Sequence, residues 1–312
     1  MFHLEATMLH RRTKTMTTAT ARIAVRFRNI LFATDFSPAA AQAIPYVKKI
    51  AKHYDANLTS LHVRPPVVNP MTAPGTWPAD IDAAKVEDDK HREEVLSTFA
   101  GIRTQVLAGE GSIQSCLNQA IEKNNTDLLV IGTRGRTGLG KLLLGSVAEE
   151  IFRTVSCPVL TVGPHSSASP AAGSQFREIL YATDLSPESQ GAAAYAVSLA
   201  QEFQSRLTLL HVIPEQKPGD LVSAADVTAS SEKLLRKLVP PEAGAWCQAE
   251  YFVERGDPAE KILEFARQRE TDLIVLGVRR EKGMPGAATH LPIATAHKIV
   301  SHAGCPVLTV RH

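Results

Sequence analysis

The chain has little cysteine, little net charge and no long apolar run. Its 312 residues hold four cysteines, Cys116, Cys157, Cys247 and Cys305, and no two of them form a CxxC pair. That spacing excludes a zinc ribbon and a dense disulfide framework, and it reads as reduced thiols in a cytoplasmic protein. A net charge of +2 removes the electrostatic case for nucleic acid as a partner. No apolar stretch approaches the ~20 residues that span a bilayer, so no membrane partner is expected. Acid is also scarce at the start, where Glu5 is the one carboxylate in residues 1–26. This Arg- and Thr-rich segment lacks the apolar core of a secretory signal. It is expected to be a disordered, dispensable extension, with Met8 and Met16 as alternative starts.

What is present is a soluble globular composition, 44% hydrophobic and 21% charged, with length for two ordinary domains. The chain is written twice. Arg28-Asn-Ile-Leu-Phe-Ala-Thr-Asp35-Phe-Ser-Pro38 recurs as Arg177-Glu-Ile-Leu-Tyr-Ala-Thr-Asp184-Leu-Ser-Pro187, and Leu61-His62-Val63 as Leu210-His211-Val212. Thr126-Asp-Leu-Leu-Val-Ile-Gly132 recurs as Thr271-Asp-Leu-Ile-Val-Leu-Gly277, and Cys157-Pro-Val-Leu-Thr-Val162 unchanged as Cys305-Pro-Val-Leu-Thr-Val310. Four matches in one order at offsets of 145 to 149 residues mark a tandem duplication. The expected division is residues 27–163 for the first copy, a Ser/Ala/Pro/Gly linker at 164–175, and 176–312 for the second copy.

Each copy alternates short apolar runs with helical periodicity. In the first, strands are expected at Asn29–Ala33, Asn57–Val63, Ile102–Leu107, Leu128–Ile131 and Val159–Val162. Helices are expected at Ala39–His53, Asp80–Ala100, Ser112–Lys123 and Ser146–Thr154, and Pro-rich Val67–Ala79 is expected to be a loop. The fold class is therefore α/β, two tandem doubly wound domains. Each is a Rossmann-like five-stranded parallel sheet with helices on both faces. In such sheets ligands bind beyond the strand C-terminal ends, where strand order switches. Asp35, Val63 and a Gly-rich segment all follow strand ends.

That segment, Gly132 to Ser146, is the strongest chemical signal. Glycines let backbone N–H groups approach an anion, and a following helix N-terminus adds partial positive charge. Two better-known phosphate motifs nearly fit. Gly135-Arg-Thr-Gly-Leu-Gly140-Lys141 begins a Walker A loop, but Leu142 stands where Ser or Thr would hold magnesium. Gly138-Leu-Gly140 begins a dinucleotide fingerprint, but Leu143 replaces its third glycine. The spacing that does fit is Gly, two residues, Gly, nine residues, Gly-Ser, met by Gly132, Gly135, Gly145 and Ser146.

This pattern, with Ile30–Pro38, Leu61–Val63 and Cys157–Val162, resembles the ATP-binding subgroup of the universal stress protein family over nearly the whole chain outside the extension and linker. The resemblance implies an adenine nucleotide alpha hydrolase-like fold. It also implies a site in which Asp35, beside Ala33 and Thr34, accepts from ribose or adenine. Val63 would wall the adenine edge, while Ile131 and Gly132 approach the ribose and phosphates. Gly135, Gly145, Ser146 and Val147 would hold the phosphates. Arg134, Arg136 and Lys141 would add charge-assisted contacts. The cofactor implied is ATP, with Mg2+ carried by the triphosphate.

Simpler readings stand beside these. Asp35 precedes Ser37-Pro38 and can organise a turn, and His62 and His211 read as structural histidines. The second copy departs from the pattern, with Arg280 at the second glycine and Ile293-Ala294 at Gly-Ser. One nucleotide site per chain is therefore expected, in the first copy. The function expected is an ATP-binding stress or energy-state module; the alternative is a nucleotide-independent interaction or chaperone-like protein. No nucleophile–base pair is recognisable, and ATPase activity or autophosphorylation at Ser146 or Thr137 has no specific support. An adenylating enzyme would need a Ser-Gly-Gly-x-Asp-Ser loop where Ala33–Ser37 stands. The apolar last strands, Val159–Val162 and Val307–Val310, are expected to pair within the chain. A homodimer of the tandem chain stays open.

Overall fold

The computed structural model describes residues 25–64, 78–132, 151, 155–163, 166, 176–215, 224–278 and 293–311. The first copy contributes β1 (Asn29–Ala33), α1 (Pro38–Ala41), α2 (Ile44–Tyr54), β2 (Asn57–Arg64), α3 (Pro78–Thr98), β3 (Thr104–Glu110), α4 (Ile113–Lys123), β4 (Leu128–Gly132) and β5 (Val159–Val162). The second contributes β6 (Glu178–Thr183), α5 (Pro187–Phe203), β7 (Arg206–Ile213), α6 (Ala224–Lys237), β8 (Ala249–Arg255), α7 (Pro258–Gln268), β9 (Leu273–Val278), α8 (Ile293–His302) and β10 (Val307–Arg311).

Alternation along β1 shows how the layers arise. Ile30 and Phe32 enter one core, which α2, α3, α5 and α6 cover. Leu31 enters the other, which α4, α7 and α8 cover. Successive side chains of a strand point to opposite faces, so a run buried on both faces reads as continuously apolar. The strands join in the order β3-β2-β1-β4-β5-β10-β9-β6-β7-β8. Pairing is parallel within each copy, and β5 meets β10 antiparallel. Strand order reverses at β1, with β2 and β3 on one side and β4 and β5 on the other. The switch point lies between the C-terminal ends of β1 and β4. The repeated Thr-Asp motif holds this frame in both copies. Asp127 accepts the N–H groups of Arg28 and Asn29 at 2.7 and 3.1 Å, and Asp272 those of Arg177 and Glu178 at 2.7 and 3.0 Å.

Three expected elements differ by more than one residue. The helix expected over Ala39–His53 is two helices, because Pro45 offers no N–H to the Ala41 carbonyl and its ring crowds that oxygen. Its counterpart is Ala194, and α5 runs unbroken through that position. The helix expected from Asp80 starts at Pro78, a residue suited to a first turn. The third strand begins at Thr104 rather than Ile102. Ile102 N–H donates to Phe99 O in the turn that leaves α3, and pairing then continues to Glu110 opposite Arg64.

All four cysteines are free thiols, three of them buried. Burial pushes Cys157 up to about 11 and Cys305 up to about 12, so both stay protonated packing residues at neutral pH. Among the described residues no helix is long and apolar enough to cross a membrane.

Candidate functional site

The candidate crevice begins where β1 leaves the sheet. Ala33 lies between Leu61 of β2 and Ile131 of β4, and Thr34 N–H still donates to Leu61 O at 3.0 Å. Phe36 then adopts φ +58°, a left-handed conformation uncommon for a residue with a bulky side chain. Local bonds hold it there. Thr34 Oγ1 accepts Phe36 N–H and Asp35 Oδ1 accepts Ser37 N–H, both at 3.0 Å, and Ser37 Oγ accepts Ala40 N–H at 3.1 Å to cap α1. His62 Nδ1 lies 2.9 Å from Thr34 O. A carbonyl only accepts, so Nδ1 carries the proton. The Phe36 ring stacks on His91 of α3 at 3.9 Å and meets His62 edge-on at 5.1 Å.

The second copy repeats this geometry. Leu185 has φ +63°. Thr183 Oγ1 accepts Leu185 N–H and Asp184 Oδ1 accepts Ser186 N–H, both at 3.0 Å, and His211 Nδ1 lies 2.9 Å from Thr183 O. Asp35 and His62 therefore have turn-building roles in the first copy, as Asp184 and His211 have in the second. Phe36 and His62 were not among the expected site residues. The signal for them was the duplicated Asp-x-Ser-Pro and Leu-His-Val, which needs a three-dimensional turn to interpret.

Gly132 has a role that the loop pattern alone does not suggest. A Cβ there would lie 3.1 Å from Ala39 O and Ala40 Cα, because α1 crosses the end of β4. Gly277 faces the same demand more severely, with Ser189 Cα at 2.6 Å. The first glycine of the loop is thus a packing residue in both copies, which explains why it stands in the half that lacks the rest of the pattern.

Ala33, Thr34, Asp35, Ile131 and Gly132 come together at the switch point, with Val63 two residues past Leu61 on the neighbouring strand. Arg134, Gly135, Arg136, Lys141, Gly145, Ser146 and Val147 lie outside the described residues. A cavity of about 50 Å³ between the Phe36 turn and α3, lined by Phe32, Thr34, Ser37 and Val95, is far below the roughly 300 Å³ of a small-molecule pocket. Among the described residues no group of His, Cys, Asp and Glu could hold a metal ion.

One titration follows from the turn. Burial holds the His211 pKa below its ordinary 6.5. The unfolded chain then binds more protons as pH falls, so stability present at neutral pH is lost as pH drops through about 6.5. His211→Asn keeps a donor for Thr183 O without a titrating ring. It is expected to flatten the decline of thermal midpoint between about pH 7 and pH 5; an equally steep decline would assign that loss elsewhere.

Comparison with known proteins agrees with the repeat. The profile of the universal stress protein family (Usp) matches residues 26–163 and again 175–311. A universal stress protein of Mycolicibacterium smegmatis is 28% identical over 297 residues, 90% of this chain and 96% of its own length. Universal stress protein MJ0531 of Methanocaldococcus jannaschii is 32% identical over 140 residues, 44% of this chain and 82% of its own. The crystal structure of a universal stress protein from Archaeoglobus fulgidus has the same fold, with a TM-score of 0.67 and 22% identity over 91% of this chain and 98% of that one. A family profile that matches twice, on the halves already separated by the repeat and by the sheet order, makes this chain a member of the universal stress protein family with two Usp domains in tandem.

Proposed function

We propose that the first copy binds one adenine nucleotide, ATP with its Mg2+, and that the chain acts as a cytoplasmic binding module responding to stress or energy state. The observation that carries this reading is the adjacency of the two strand ends. The Gly-x2-Gly-x9-Gly-Ser segment starts at Gly132, on the strand beside the one that ends at Ala33, just before Thr34-Asp35. Phosphates held by Gly135, Gly145, Ser146 and Val147, with Arg134, Arg136 and Lys141 beside them, leave the ribose near Ile131, Gly132 and Asp35 and the base toward Val63. A carboxylate accepts several hydrogen bonds at once, so a turn role for Asp35 is compatible with a ligand role. The magnesium ion would arrive on the triphosphate and needs no dedicated protein ligands.

The sequence holds no recognisable nucleophile–base pair, and the reading is therefore of a sensor rather than a dedicated enzyme. ATP would act by binding one conformation or assembly of the chain better than another. The second copy lacks the cradle, because Arg280 and Ile293-Ala294 stand where glycine and Gly-Ser are needed. The test is to release nucleotide from the purified chain by heat and identify it by chromatography. Adenine nucleotide at up to one equivalent is expected. A chain that carries none and takes up none when offered MgATP would instead be a nucleotide-independent interaction protein.

A further inference from the structure

The two copies meet about a pseudo-twofold axis. In the sheet, Leu160 lies opposite Leu308, its own counterpart, flanked by Thr161 opposite Val307 and Val159 opposite Thr309. On the face covered by α2 and α5, the ring contacts repeat with the copies exchanged. Phe27 stacks on Tyr195 and Phe176 on Tyr46, each with centroids 6.3 Å apart. Phe27 meets Tyr54 edge-on at 5.5 Å, and Phe176 meets Phe203 edge-on at 5.1 Å. This is the geometry of an isologous pair, in which one surface patch meets itself.

Two of the positions where the counterparts differ place a charged or titratable side chain at the seam. His53 and Glu202 are counterparts, and they face each other across the axis with Nε2 3.3 Å from Oε2. Lys49 and Ser198 are counterparts as well. Ser198 Oγ accepts Val25 N–H at 2.9 Å and donates to Val25 O at 3.4 Å, holding the segment that leads into β1. Lys49 Nζ instead sits 3.8 Å from the centroid of the Phe176 ring, a cation–π contact. Its ammonium is buried without a hydrogen-bond partner among the described residues, and that burial lowers its pKa to about 8.

We propose that these two positions make the interface heterotypic: the face of each copy fits the other copy of this chain and rejects a face of its own kind. Two second-copy faces would set Glu202 against Glu202. Both side chains of the present pair are only about 30% exposed, at 30% and 29%, so water screens such a clash incompletely. Two first-copy faces would set His53 against His53 and place Lys49 where a hydroxyl now receives the Val25 backbone. Specificity is a difference of affinities, and a repulsive element against the wrong partner supplies it as well as an attractive one for the right partner. The partner this surface takes is therefore the complementary copy.

The test uses the full chain. His53→Glu builds the second-copy homotypic contact inside one molecule, and Glu202→Lys added to it restores an unlike pair in reversed orientation. His53→Glu is expected to lower the thermal midpoint by about 3 °C, from the size of a partly exposed charge pair in a chain of this length. The double variant is expected to recover most of that loss, and high salt to shrink the difference between the two. Repacking alone would not give that salt dependence. An unchanged midpoint in His53→Glu, or a double variant that falls as far as the two single losses combined, would overturn the proposal.

Discussion

Titrated with MgATP, the full chain is expected to saturate at one nucleotide, and Gly145→Val is expected to weaken that uptake by about 100-fold or more. The phosphate contacts proposed for this loop are backbone N–H groups, and each hydrogen bond to a charged group contributes about 1.5–3 kcal/mol. A branched side chain at Gly145 removes both the room and the approach of those donors. The single site follows from the second copy, where Arg280, Ile293 and Ala294 replace the second glycine and the Gly-Ser pair. Asp35→Asn is the control that separates ligand from turn. Its amide oxygen still accepts Ser37 N–H, so the turn survives while the carboxylate charge is gone. About tenfold weaker binding at an unchanged thermal midpoint is expected, the scale of one hydrogen bond. Two sites of similar affinity, or full binding by Gly145→Val, would sink the nucleotide reading as it is drawn.

The second large effect concerns packing. Gly277→Ala is expected to lower the thermal midpoint by about 5 °C or more, from an overpacking cost of roughly 2–3 kcal/mol. The new methyl would sit 2.6 Å from Ser189 Cα, and backbone cannot yield as a flexible side-chain end can. Retreat of α5 is opposed by three bonds at its start. Tyr181 OH donates to Ser189 O at 2.6 Å, Thr183 Oγ1 bonds Ser189 Oγ at 2.8 Å, and Ser186 Oγ caps Ser189 N–H at 3.3 Å. Gly132→Ala meets its neighbours at 3.1 Å and is expected to cost less. Equal midpoints for Gly277→Ala and the parent chain, read by scanning calorimetry, would show that α5 shifts freely.

The fold was legible because its signals are local and repeated. Continuous apolar runs such as Ile30–Phe32 and Leu128–Ile131 announce strands buried on both faces, and Ser37 and Ser112 announce helix starts by side-chain capping. Where pattern and structure differ, a single residue or an adjacent strand decides. Pro45 outweighed the helical periodicity around it. Ile102, apolar and β-branched, went to the turn after α3, because β2 offered partners only from Leu58 onward to Thr104 and beyond. The candidate site was legible as a set of strand ends but not as a turn. Nothing in Asp35-Phe36-Ser37 announces a left-handed Phe36 or the His62 bond behind it. Gly132 misled in an instructive way, because a glycine that admits a helix looks the same in sequence as one that admits a phosphate.

The core that α2, α3, α5 and α6 cover does not stop at the boundary between copies. Ile30, Phe32 and Leu160 belong with Tyr181, Ala196 and Val275 in one continuous body of side chains. Parting the copies would open that body and strip β5 and β10 of each other, leaving two apolar strand edges bare. Melting is therefore expected to be shared. A defect in the core of the half without the Gly-rich loop is then expected to raise the unfolded fraction of the half that has it, so the second copy would act on the first through the folding equilibrium even if it never touches a nucleotide.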